Sequence, residues 1–263
     1  MKYTVQNSQA LQRDNSQMFF IIGAQRCGST WLHSVLNEHP CIAMAKPVKP
    51  EPKFFLNPDN SNIETDRYFQ KHFSDTIDIP IKGEKSTSYI EYPEIAHRIR
   101  SLFPSAKAVV ILRNPIHRAI SNYRFSLQNG IEYRTIFQAF NGNAPTPSTP
   151  DDISVSPFSY VERGEYIKYI RPWSAIFKHD LRVIILEEIL SDINILYELY
   201  AWLGAEKTYT PTNFNKIINE TTSLTKPRIN PMIIQKLHIH FLPYTRALEY
   251  WLGRKIPSWH DTL

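Results

Sequence analysis

The 263-residue chain has only two cysteines, Cys27 and Cys41, too few for a disulfide framework. Reduced thiols in a cytoplasmic location are therefore expected. No stretch approaches ~20 consecutive apolar residues, so neither a spanning helix nor a membrane partner is expected. Residues 1–17 are polar and lack the apolar core of a secretion signal; they read as a flexible leader ahead of a single domain, 18–263. HExxH and CxxC spacings are also missing. No metal is expected, and His33, His39 and His72 read as surface or core side chains. Lysine and arginine outnumber acids 30 to 25, giving a net charge of +5, yet no dense basic run points to nucleic acid. A small polyanionic ligand accounts for the excess equally well.

What is present is an alternation. Short continuous apolar runs at 18–22, 108–112 and 183–186 have the pattern of strands buried on both faces of a parallel sheet, and 81–90 reads as strand and loop. Helical spacing occurs at Leu32, Val35 and Leu36, and over 64–74, 92–103, 115–127, 160–177, 189–203 and 231–252. The prolines of 46–55 keep that segment a shaped loop ending on two buried aromatics, Phe54 and Phe55. Residues 141–157 read as a flexible insertion, a lid or an exposed loop. Strands alternating with helices predict an open α/β sheet, mainly parallel and covered on both faces.

Two places concentrate groups that bind anions. Gly23-Ala24-Gln25-Arg26-Cys27-Gly28-Ser29-Thr30-Trp31-Leu32 joins the first strand to the first helix, where backbone N–H groups and a helix N-terminus converge on a phosphate. Gly23 and Gly28 have the separation of a Walker A loop, but Ser29 stands where its lysine belongs and the cation, Arg26, lies inside the loop. That favours a phosphate-bearing donor other than ATP. Arg113 follows the strand at 108–112, and Ser121 lies two helical turns further on, in the crevice where open α/β sheets bind ligands. One cradle suits a 5′ group and the other a 3′ group of the same nucleotide. A tight turn without ligand at 23–31, and an Arg113 that merely pairs with a carboxylate, are the bland alternatives.

These motifs resemble the sulfotransferases that use 3′-phosphoadenosine 5′-phosphosulfate (PAPS). Residues 23–32 are similar to the 5′-phosphosulfate loop of that family, and Arg113 with Ser121 to its 3′-phosphate pair. Glu51-Pro52-Lys53-Phe54-Phe55 and Gly83-Glu84-Lys85-Ser86 resemble its heparan-type and bacterial members. Lys226-Pro227-Arg228 resembles its late basic cofactor-closing loop, and 251–259 its C-terminal end. The resemblance implies an α/β, P-loop-like three-layer fold with a central, mainly parallel sheet flanked by helices. It also implies sulfuryl transfer to a hydroxyl or amine with release of 3′-phosphoadenosine 5′-phosphate (PAP). By the same resemblance the nucleotide would be held by Arg26, Cys27, Gly28, Ser29, Thr30, Trp31, Arg113, Ser121, Lys226 and Arg228.

Many members have lysine where this chain has Arg26, and the KxH segment that supplies a histidine base in other branches is not apparent here. The base assignment therefore falls on Glu51, with Arg26 stabilising charge and Lys85 steadying the transferring group or the acceptor. Glu51 as an exposed acid between Lys49 and Lys53, and Glu84 as a solvated partner of Lys85, are the alternatives. Tyr166, Arg171 and Trp173 are weaker candidates for an acceptor-facing helix. The expected acceptor is a carbohydrate or small molecule, a secondary metabolite or sugar rather than a polymer. A P-loop kinase is disfavoured by the missing lysine and the lack of a Mg²⁺ site. A non-catalytic nucleotide- or polyanion-binding module is the reading in which Glu51 is incidental.

Overall fold

Phe19 and Phe20 are neighbours that point to opposite faces of strand β1 (Gln17–Gly23), and both are fully buried. The sheet they belong to is therefore covered on both sides, which is why its strands read as continuous apolar runs rather than alternating ones. The computed structural model describes residues 16–57, 60, 65–76, 78–141, 157–216 and 229–260. In it β1 lies at the centre, paired in parallel with β3 (Ile81–Lys85) on one side and β4 (Lys107–Leu112) on the other. The short β2 (Ile42–Met44) adds to β3, and β5 (Leu181–Ile185) to β4. The order is β2-β3-β1-β4-β5, with every pair parallel, as the alternation predicted.

Register explains Gly83. It stands opposite Phe19 in β3, and a Cβ there would come within 2.2 Å of the Phe19 ring and 2.6 Å of the Met44 sulfur. A glycine in a strand interior, usually a weakness, here leaves room for a buried aromatic.

The helices are α1 (Ser29–Asn37), α2 (Thr65–Phe73), α3 (Pro93–Leu102), α4 (Pro115–Gln128), α5 (Ile136–Asn141) and α6 (Tyr166–Phe177) between the strands, and α7 (Leu186–Ser191), α8 (Asn194–Leu203) and α9 (Pro231–Leu252) after β5. Proline opens α3, α4 and α9, where its missing N–H costs nothing. Asn114 caps α4, its Oδ1 accepting from the Ile116 amide at 3.0 Å. A second apolar cluster, including Ile116, Tyr123, Tyr160 and Phe241, ties α4 to α9.

Several boundaries differ from the sequence reading. β1 includes Gln17, assigned to the leader, because its backbone amide donates to the Pro80 carbonyl at 2.9 Å and extends the ladder to β3. The helix expected over 189–203 is two, broken at Asp192, whose carboxylate accepts from the Asn194 amide and starts α8 afresh. The helix expected from residue 160 begins at Tyr166, after a 3₁₀ turn at Glu162–Gly164. β2 and α5, at three and six residues, are too short for their periodicity to register. Residues 1–15 and 142–156 lie outside the described residues. Among the described residues no helix is long and apolar enough to cross a membrane.

Candidate active site

Because all five strands are parallel, their carboxyl ends emerge on one edge, and each delivers residues to one cleft of about 1510 Å³. After β1 come Gln25, Arg26 and Gly28 to Trp31; after β2, Lys49, Glu51 and Lys53; after β3, Thr87 and Ser88 beyond Lys85; after β4, Arg113 and His117; after β5, Leu186 and Leu190. The volume exceeds the roughly 300–1,000 Å³ of a typical single-ligand pocket. There is room for a nucleotide and a second molecule.

In the loop after β1, Arg26 and Gly28 both have positive φ, at 67° and 87°. At Gly28 a Cβ would also lie 2.7 Å from Leu186 Cδ1, so conformation and space both require glycine. The turn aims Arg26 at α4. Its Nε donates to Ser121 Oγ at 3.3 Å, and its guanidinium carbon sits 4.6 Å from the Phe125 ring centre. Burial, and then the positive charge of Arg113, lower the pKa of Arg26. Two guanidinium groups held close in a partly buried cleft make a site that favours an anion. Ser29 and Thr30 open α1 and line the cleft, where the first amides of a helix have no intrahelical acceptor. Trp31 is buried beside them, with its Nε1 donating to the Phe214 carbonyl at 3.0 Å.

Cys27 departs from its expected role. Its side chain is fully buried with Sγ 3.4 Å from Tyr166 Oη, and its amide closes an internal turn on the Ala24 carbonyl at 3.3 Å. It shapes the loop from behind and does not line the cleft. Tyr166 in turn donates to the Arg113 carbonyl at 2.7 Å, so it ties the two anion-binding segments together. Tyr166 and Trp173 are thus core side chains, and Arg171 is exposed; none of the three lines the cleft. Glu187 holds the same turn from the other side, accepting from the Asn114 amide at 2.9 Å and from Trp259 Nε1 at 3.1 Å.

Glu51 is neither free nor solvated. Its Oε1 accepts from Lys85 Nζ at 2.6 Å, and its Oε2 accepts from the Thr87 amide at 2.8 Å and the Thr87 hydroxyl at 3.0 Å. The Lys85 side chain is 4% exposed and that of Glu51 18%, a largely buried ion pair opening onto the cleft. The alternative pairing of Lys85 with Glu84 does not form. Neighbours along a strand face opposite ways, so Lys85 meets Glu51 while Glu84 is buried among hydroxyls. Thr87 had no motif to mark it. Lys49 and Lys53 did, by alternating with Glu51 between prolines.

His33, His39 and His72 are all buried. Among the described residues His33 Nε2 has no hydrogen-bond partner, and burial followed by the charge of Lys85 pushes the His33 pKa down to about 4. Unfolded, this imidazole takes up its proton near pH 6.5; folded, only near 4; acidification between the two therefore favours unfolding. The penalty reaches about 3 kcal/mol below the folded value. In a His33→Leu variant the fall of Tm between pH 6.5 and 4 is expected to be shallower than in the parent; parallel curves would contradict the assignment.

Lys226 and Arg228 lie outside the described residues; Lys216 and Ile229, which flank that segment, line the cleft. Among the described residues no group of three or more His, Cys, Asp or Glu is placed to hold a metal ion.

A parallel sheet whose carboxyl edge holds a glycine-turned anion loop, a second arginine in the same cleft and a lysine-bound carboxylate fits an enzyme that transfers a group from a nucleotide. The chain matches the model of the sulfotransferase domain over residues 16–237 and belongs to that family. It is a PAPS-dependent sulfotransferase. The heparan sulfate glucosamine 3-O-sulfotransferase 5 of Mus musculus is 27% identical over 259 residues, spanning 90% of this chain and 72% of the relative. The bifunctional heparan sulfate N-deacetylase/N-sulfotransferase of Drosophila melanogaster is 24% identical, over 94% of this chain but only 27% of the relative. A sulfotransferase structure from Alicyclobacillus acidocaldarius shares the fold with a TM-score of 0.74 and 23% identity, covering 95% of this chain and 99% of that one.

Proposed function

We propose that this enzyme moves the sulfuryl group of PAPS to a hydroxyl or amine of a carbohydrate or small-molecule acceptor, with Glu51 as the general base. The observation that carries this reading is a carboxylate fixed by a buried lysine in the same cleft as the loop at 23–31 and Arg113. When bound, PAPS supplies an activated sulfuryl group on a good leaving phosphate. The donor set suits such a nucleotide: the open amides and hydroxyls of Ser29 and Thr30 with Arg26 for the 5′-phosphosulfate, and Arg113 with Ser121 for the 3′-phosphate. Trp31 and Phe214 form an aromatic wall beside them, with ring centres 5.7 Å apart. Lys226 and Arg228 remain our choice for closing over the nucleotide.

Arg26 is always charged, so it stabilises negative charge on the leaving oxygen without giving up a proton. Glu51 accepts the proton of the attacking hydroxyl. A carboxylate has about four acceptor sites, so its bonds to Lys85 and Thr87 leave capacity for one more. Lys85 orients the carboxylate and lends positive charge to the reacting centre. As proposed, none of these steps requires a metal. Both cysteines are free thiols, which suits a reducing compartment, and we place the enzyme in the cytoplasm.

Lys49 and Lys53 line the cleft on either side of Glu51, which favours an acceptor with negative charge near its reacting group. Relatives named for heparan sulfate support a sugar. The test is a panel of uronate-containing and neutral oligosaccharides, amino sugars and phenols incubated with PAPS and read by product mass. One sulfuryl addition with release of PAP is expected; PAP binding with no product from any acceptor class would favour the non-catalytic alternative. Arg113→Ala is expected to weaken PAP binding by about 1.5–3 kcal/mol, the worth of a charge-assisted hydrogen bond. Unchanged affinity by calorimetry would remove Arg113 from the 3′-phosphate site.

A further inference from the structure

Glu84 is wholly buried, and its hydrogen-bond partners are hydroxyls. Tyr68 donates to Oε2 at 2.6 Å; Tyr89 and Ser86 donate to Oε1 at 2.5 and 2.7 Å. Burial raises the pKa of the carboxyl, and burial together with that carboxylate pushes both phenols well above their ordinary range, so they keep their protons and donate. Two of these hydroxyls have a second task. Ser86 Oγ accepts from the Lys53 amide at 2.9 Å, and Tyr89 Oη accepts from the Phe55 amide at 3.0 Å. Those are backbone donors on either side of Phe54, in the turn that follows Glu51-Pro52. Pro52 has no N–H, so Lys53 is the first amide after Glu51 through which the loop can be gripped. Arg98 adds a bond to the Phe55 carbonyl at 2.9 Å.

We infer that Glu84 is a positioning residue for Glu51, acting through Ser86 and Tyr89 on the backbone of Lys53 and Phe55. This rests on the reading of Glu51 as the base. Thr87, the next residue along from Ser86, grips the Glu51 carboxylate itself, so the end of β3 and the turn after it hold the loop by its backbone and by its side chain. The arrangement accounts for a buried carboxylate that neither touches the cleft nor pairs with the adjacent lysine. A shared acceptor that orients two hydroxyls, each carrying a loop amide, fixes the loop more firmly than two independent bonds. A base displaced by about 1 Å can lose ~100-fold in rate.

The test compares Ser86→Ala, Tyr89→Phe and Glu84→Gln, each lacking one element of the relay, with Glu51→Gln. Kinetics use the acceptor that gives product in the panel above. Each relay variant is expected to lose about tenfold in kcat, with KM and PAP affinity changed less than about twofold. Hydrogen exchange of segment 51–57 should quicken in all three. The double variant Glu84→Gln/Ser86→Ala should be no slower than Glu84→Gln alone, because both remove one pathway. Unchanged kcat and exchange in Ser86→Ala and Tyr89→Phe, with Glu51→Gln inactive, would overturn this inference and leave the base assignment standing. A fully active Glu51→Gln would overturn both. Lower Tm in the relay variants with normal kcat would show a purely structural network and also overturn it.

Discussion

Glu51→Gln is expected to lower turnover by about 10²–10⁴-fold while leaving the affinity for PAP nearly unchanged. Glutamine preserves the shape and can still accept from the Thr87 amide, but it cannot take a proton from the acceptor at neutral pH. The substitution also leaves Lys85, 4% exposed, without its counter-charge. Removing one partner of a buried pair typically costs about 3–5 kcal/mol, and the partial exposure of Glu51 to the cleft places this case at the low end. Stability and catalysis are therefore measured separately. Glu51→Gln/Lys85→Met should recover much of the lost Tm and none of the lost turnover. Recovery of turnover in the double variant would mean that the single variant failed through the stranded lysine, not through a missing base.

The second large effect belongs to Arg26. Arg26→Ala is expected to reduce kcat by about 10²–10³-fold, the usual consequence of deleting a donor aimed at developing charge. The backbone does not confound this comparison, since arginine and alanine bear similar strain at the positive φ of this position. Arg26→Lys keeps the charge but loses the planar fork, the contact with Ser121 through Nε and the stacking on Phe125. It should retain activity to within about tenfold of the parent. Single-turnover rates at saturating PAPS check both variants. An Arg26→Ala enzyme with normal kcat and only a raised KM for PAPS would reduce Arg26 to a binding residue.

Much of this site was legible because the chemistry is clustered in sequence. The loop at 23–31 announced itself through its two glycines and one arginine. Arg113 did so through its place at the end of a buried strand, and Glu51 through its proline-stiffened setting. The parallel sheet followed from apolar runs too continuous for a half-exposed strand. What escaped was set by packing across long sequence distances. Nothing local says that Thr87 meets Glu51, 36 residues earlier, or that Lys85 rather than Glu84 faces it. Strand alternation separates those two neighbours, but which one faces the cleft is decided by the register of β3 against β1. By its place in the loop Cys27 offers an amide to the ligand, but its side chain is buried behind the loop. The turn that presents Arg26 uses that amide for itself. Lys226 and Arg228 rest on resemblance alone.

A cleft that takes PAPS must hold an adenosine nucleotide bearing both a 5′ group and a 3′-phosphate. Calorimetric titration with PAP and with adenosine 5′-phosphate, in buffer containing a chelator, tests it most directly, since the two ligands differ only in the phosphate assigned to Arg113 and Ser121. One PAP site per chain is expected, at least about tenfold tighter than that for adenosine 5′-phosphate, with the advantage lost in Arg113→Ala. Equal affinity for the two nucleotides, or binding that appears only with ATP and Mg²⁺, would contradict it.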